Sequence, residues 1–242
     1  MNFDELATHF ERTRDCQRAI QLAVYRTRMA VAYHLGVGRD MLADSDRVRQ
    51  ITGIEDASHL CAQLPALIDR IDELSALADQ LWAESLRDTA KLADCRDQLA
   101  TAYDGMQLQP RVYERLARQS EKPLLQRALA VRDSPADAPL RREIEQIVRL
   151  EIEDFLALEE EIAAKLRQID AAREAVVQAH HDQIEAYVRE AGRTDDVSLA
   201  AGRQGARLAA MRFDDREGFD FMDYAELWID RELDRVGLSD VE

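Results

Sequence analysis

The chain is short of almost everything that would break a helix or mark a reaction. Nine glycines and five prolines are spread over 242 residues, too few for the closely spaced turns of a β-sandwich or barrel. Phe, Trp and Tyr together make only 6% of the chain, which argues against a compact β-rich or ligand-cavity fold. Cysteine is scarce: Cys16, Cys61 and Cys95 are odd in number and lack metal or redox spacing. They read as free thiols in a reducing compartment, which makes the cytoplasm the expected location. The most apolar stretch, residues 19–35, contains Arg26, Arg28 and His34, so it is too short and too charged to span a bilayer. The opening Asn2-Phe3-Asp4-Glu5 is not the pattern of a secretory leader. Lysine is nearly missing, at Lys91, Lys122 and Lys165, and arginine carries the remaining positive charge.

Motifs with a mechanism are missing as well. No glycine-rich phosphate loop, Walker motif or nucleophile elbow occurs, so the expectation is a protein without a cofactor and without catalytic residues. A calcium loop starting at Asp44, with Asp46 and Glu55 in register, fails where it matters. Val48 stands at the fifth position and Arg49 at the sixth, where the sharp turn needs glycine. His181 and Glu185 share a helix face, but a di-iron bundle needs Glu three residues before His. Val177 and Gln178 occupy those places. His180 continues an apolar row and reads as a core or interface residue, Glu159-Glu160-Glu161 as a solvated face and Asp214-Asp215 as a turn. No metal is expected.

What the sequence does have is charge and helical periodicity. The formal net charge is −16 and the pI about 4.8. Such a surface repels nucleic-acid backbones and anionic lipid, and even residues 1–50, the part nearest neutrality, form no basic patch. The partner class that remains is protein, with a basic surface favoured by charge.

The spacing predicts helices at about 3–35, 57–104, 110–131 and 139–191. In the last, Ile144, Phe155, Leu166, Val177 and Val188 recur at a constant spacing of eleven, about three turns of 3.67 residues, so the stripe stays nearly straight. Pro139 opens this segment and Gly192 closes it. At 1.5 Å per residue it would be a rod of about 80 Å. Between 57 and 104, Leu60, Leu67, Leu74 and Leu81 form one heptad row and Leu64, Ile71 and Ala78 the other, the seam of a left-handed coiled coil. It falters at Ser85 and Asp88. Asp44 or Ser45 caps a short helix that Gly53 ends. The predicted fold is all-α, an elongated bundle or coiled-coil hairpin of two long antiparallel helices with shorter helices at the ends. Residues 1–192 form the bundle and residues 193–242 a C-terminal helical pair.

Rods this long present more apolar surface than one hairpin buries, which points to a homo-oligomer or an obligate complex, with Leu60, Leu64, Leu67, Ile71, Leu74 and Leu81 as its seam. In the last helix, Phe221, Tyr224 and Trp228 stand among Asp220, Asp223, Glu226 and Asp230. Aromatic side chains dominate binding hot spots, so these three are candidate protein-binding residues, against the alternative that they cap the protein's own core. The expected function is a non-enzymatic structural or adaptor protein acting through protein contacts. The alternative is a soluble regulator or chaperone that holds one client through the C-terminal face, and a helical enzyme or cation-binding bundle is third.

Overall fold

A chain poor in glycine and proline satisfies its backbone groups within helices, and the computed structural model does so. It describes residues 3–84, 88–119, 122–136 and 138–239. Among these there is no strand, and the elements are α1 (Phe3–Tyr25), α2 (Arg28–Ala43), α3 (Ser45–Thr52), α4 (Ser58–Ala83), α5 (Thr89–Gly105), α6 (Pro110–Arg118), α7 (Lys122–Ala130), α8 (Pro139–Val148), α9 (Ile152–Ala179), α10 (His181–Glu190), α11 (Asp196–Ala210) and α12 (Phe221–Ser239), with a 3-10 turn at Asp215–Glu217. Ser85, where the expected seam falters, lies outside the described residues. The chain divides into two compact units: Gln17–Leu166, and Met1–Cys16 together with Arg167–Glu242. The expected limit at residues 192 and 193 falls inside the second of these.

The predicted rods are broken, and each break has a local cause. Residues 3–35 are two helices. Thr27 is extended at the start of α2, and its hydroxyl donates to the Val24 carbonyl over 2.8 Å, competing with the helical ladder as threonine does. The helix then runs past the predicted end at residue 35, through Gly36 and Gly38, as far as Ala43. Residues 57–104 are α4 and α5. Asp88 caps α5, accepting from the Lys91 backbone N–H at 3.0 Å, so part of the faltering seam is a helix start.

The 139–191 rod is three helices. Pro139 opens α8 as expected, and Gly192 takes a left-handed φ of 76° after α10. Between them, Arg149 adopts φ 55°, a conformation costing a non-glycine residue about 1–2 kcal/mol. Its side chain offsets that cost. The buried guanidinium donates to Asp79 at 2.6 Å and to the Ser75 carbonyl and hydroxyl at 3.0 and 2.9 Å. Buried Glu145 then restarts the chain, accepting from the first N–H of α9. At His180 the backbone N–H is shared between the carbonyls of Val176 and Val177, a kink that separates α9 from α10.

Within Gln17–Leu166, α4 packs against α5 and α2, and α8 meets α2 and α4. α4 and α5, the two helices into which the predicted 57–104 rod divides, thus pack on each other. Leu60, Leu64, Ile71, Leu74 and Leu81 are buried there and Leu67 is half-buried. The chain itself covers most of the heptad seam.

Within the other unit, α11 packs closely on α12 and on α10. Ala201, Ala206, Ala209 and Ala210 share a core with Ile184, Val188, Phe221, Ile229 and Leu233, which Leu6 and Phe10 complete from the start of the chain. The Asp195 carboxylate caps α11, accepting from the backbone N–H of Ser198 at 2.8 Å.

Candidate functional site

The break between α1 and α2 leaves an open cleft of about 290 Å³ in the unit Gln17–Leu166. Met29 and Ala32 of α2, Leu124 of α7, Ile147 and Val148 of α8 and Phe155 of α9 give it an apolar lining; Thr27, Arg28 and Glu159 add its polar groups. The wall is braced by one carboxylate: Asp79 accepts from Arg28 at 3.1 Å and from Arg149 at 2.6 Å. The left-handed turn at Arg149 and the first residue of α2 are thus tied to the same atom group on α4. Leu129 and Leu140, on the two helices of the α7–α8 pair, are exposed. The cleft sits at the floor of the size range of small-molecule pockets, about 300–1,000 Å³.

A second constellation lies in the same unit. His34 of α2 is wholly buried and stacks on Tyr103 of α5, centroids 4.0 Å apart. Its Nδ1 lies 2.6 Å from the Ala30 carbonyl and its Nε2 2.8 Å from the Tyr113 hydroxyl. Tyr113 of α6 is 3.2 Å from the hydroxyl of Tyr25 of α1, which donates to Asp104 at 2.9 Å. Gln17 and Arg118 hold the buried Glu114 at 2.8 and 3.0 Å. Burial dominates the electrostatics. It pulls His34 down to about 4, pushes Tyr25 up to about 12 and raises Tyr103 and Tyr113 further. The sequence analysis names none of these residues as a site, because the members of the network come from four separate helices and no local spacing joins them.

The residues expected to bind protein are placed differently from one another. Phe221 is wholly buried, in contact with Phe10 and His180, and offers nothing to a partner in this arrangement. Tyr224 and Trp228 are partly buried and pack against the same core. Arg212 and Arg231 both stack on the Trp228 ring, their guanidinium carbons 4.3 and 5.0 Å from its centroid. The face expected to be acidic thus presents cations at its central ring. A polar cleft of about 280 Å³ near the His180 kink is lined by Glu174, Gln178, His181, Arg203 and Arg207. Its cations are already matched, Arg207 by Glu174 and Arg203 by Glu185.

Among the described residues, no three His, Cys, Asp or Glu side chains gather where they could hold a metal ion. Asp44 serves as the cap of α3, accepting from the Asp46 N–H at 2.9 Å, and Gly53 ends that helix at φ 74°. His180 is buried beside Phe221, its Nδ1 2.7 Å from the Val176 carbonyl. No described helix is long and apolar enough to cross a membrane. Comparison with protein-family models finds no match to the chain, and comparison with curated proteins finds none either.

Proposed function

We propose that the protein is a non-enzymatic adaptor that holds a basic amphipathic helix of a partner protein in the cleft between α2, α7, α8 and α9. The observation that carries this reading is the cleft: six apolar side chains converge on an open volume with Arg28 and Glu159 among its lining. Amphipathic helices dock in such grooves through large apolar side chains three or four residues apart. Each one fully buried contributes about 1.5–3 kcal/mol. Met29 adds an adaptable wall, because its unbranched side chain fits irregular partners. The charge of −16 and the Glu159-Glu160-Glu161 run favour encounter with a basic helix, a contribution to rate and selectivity more than to affinity.

The test is site-specific. A photo-crosslinking residue at Ile147, on the cleft, should capture a protein through a basic amphipathic segment. The same residue at Val197, which is exposed on α11, should not. Ala32→Trp, which fills the cleft from an exposed position, should abolish the adduct while leaving helicity unchanged. Equal capture from both positions, or an adduct that survives Ala32→Trp, would overturn the reading.

A further inference from the structure

His34, Tyr113, Tyr25 and Asp104 form a line of hydrogen-bond contacts from the buried interior to the surface, and with His34 neutral the line is one proton short. The Ala30 carbonyl can only accept, so the contact at 2.6 Å places a proton on Nδ1. In the neutral ring Nε2 is then an acceptor, and the Tyr113 hydroxyl must donate to it. That uses the only proton of Tyr113. Tyr25 has one proton and two acceptors in reach, the Tyr113 oxygen at 3.2 Å and the Asp104 carboxylate at 2.9 Å. The Gln21 amide donates to the Tyr25 oxygen at 2.6 Å, so whenever Tyr25 serves Asp104 the contact between the Tyr25 and Tyr113 oxygens has no proton in it.

One more proton removes the conflict. With Nε2 protonated, His34 donates to Tyr113, Tyr113 to Tyr25 and Tyr25 to Asp104. Every group along the line is matched, and an imidazolium faces a carboxylate through two phenols. We propose that the line is a proton relay that makes His34 an acid-sensing switch inside the unit Gln17–Leu166, loaded from solvent through Asp104. A proton arriving from water binds Asp104. It passes to the Tyr25 oxygen as Tyr25 gives its own to Tyr113 and Tyr113 gives its own to Nε2. Three O–H bonds break, two O–H bonds and one N–H bond form, and the carboxylate is restored. The unit gains one positive charge, and no other reactant is needed.

The groups around the line set where it turns over. Asp104 favours the charge, and it is shared with Arg18 of α1 at 3.3 Å. Glu114 of α6 is neutralised by Arg118. Arg115 and Arg47 face Tyr33 beside the ring and Arg149 faces the stacked Tyr103, each pulling that phenol down against its burial. Burial opposes the charge on His34 most strongly, so the switch operates in acid.

The experiment is a nitrogen-detected NMR titration of His34 in the full chain. At pH 7 the ring should show protonated Nδ1 and bare Nε2. In Asp104→Asn the new amide can donate to Tyr25, which supplies the missing donor of the neutral state and removes the counter-charge. The His34 midpoint should then fall by about one pH unit, the low end of what an opposite charge contributes. Tyr25→Phe cuts the line and should slow proton exchange at His34 by at least about tenfold, or 1.4 kcal/mol in barrier. Asp104 is about half exposed, so the amide replacement leaves packing alone, and the tautomer is read with no substitution. A proton on Nε2 at pH 7, or the same midpoint with Asp and with Asn at position 104, would overturn the relay.

Discussion

Two glycines sit inside helices with ordinary negative φ, yet replacing each by alanine should change stability in opposite directions. Gly36 in α2 has open space around it: an added Cβ would meet nothing within 4 Å. Gly36→Ala should therefore return the helix-propensity difference, about 0.8–1.0 kcal/mol of added stability. Gly205 in α11 faces α12. Its Cβ would stand 2.5 Å from the Cα of Ile229 and 2.7 Å from both the Ile229 nitrogen and the Trp228 carbonyl oxygen. These are backbone atoms, so no rotamer change relieves the clash. Ordinary carbon contact is about 3.5–4.0 Å, so the helices must part by about 1 Å. Parting them loosens Ala201, Ala206, Ala209 and Ile229, which share that core. Overpacking of this kind costs about 1–3 kcal/mol or more, and the propensity gain offsets only part of it. Urea denaturation followed by circular dichroism gives the sign and size. The two tryptophans, Trp82 and Trp228, lie one in each unit, so single-tryptophan backgrounds assign the loss. If Gly205→Ala stabilises as Gly36→Ala does, the close approach of α11 and α12 is wrong.

Arg149 yields a paired test: Arg149→Ala should cost about 1.5–3 kcal/mol for the lost charged hydrogen bonds, and Arg149→Gly about 1 kcal/mol less, because glycine tolerates the left-handed turn; equal losses in chemical denaturation would show that the turn stores no strain. Phe221→Ala should cost about 3–5 kcal/mol as a core truncation, whereas Trp228→Ala should cost less, since the ring is only partly buried; a Trp228→Ala melt indistinguishable from the parent would remove it from the core. His34 titrates near 4 in the fold and near 6.5 in the unfolded chain. Between those values the unfolded state holds the extra proton, so stability is lost as pH falls. The loss between pH 7 and pH 5 should be about 2 kcal/mol. The carboxylates act alike in His34→Gln, so that variant should lack this part of the pH slope, and an unchanged slope in urea midpoints would refute the assignment.

The helical class was legible because it follows from what the backbone can do alone: few breakers, sustained apolar rows, and caps at Asp44, Gly53 and Pro139. The interruptions were not. Arg149 is a good helix former, and what turns the chain there is an anchor on Ser75 and Asp79, more than sixty positions earlier. Thr27 and His180 are similar cases, where periodicity continues across a break. The heptad at 60–81 predicts a coiled-coil seam, and five of its six named residues are buried within the chain, but an apolar stripe does not say whether a copy or the same chain covers it. The aromatic group at the C-terminus shows the same limit. Phe221 and Trp228 look alike in sequence, yet one is enclosed by Phe10 and His180 and two arginines stack on the other. The cleft and the His34 line bring together side chains from several helices, and no local spacing encodes them.

The core that Leu6 and Phe10 complete is assembled from the two ends of the sequence. Phe10 lies 5.0 Å from Phe213, centroid to centroid, and Arg14 pairs with Asp215 across a separation of 201 residues. At about 5–20 residues per second of synthesis, the first segment waits about 10–40 s for its counterpart. During that interval Leu6 and Phe10 have no native surface to cover. The residues between are free to collapse first, and the closing of the terminal unit is the late, non-local step. Strain on translation or removal of the first sixteen residues should therefore fall on that unit alone, leaving a molecule half folded rather than one uniformly weakened.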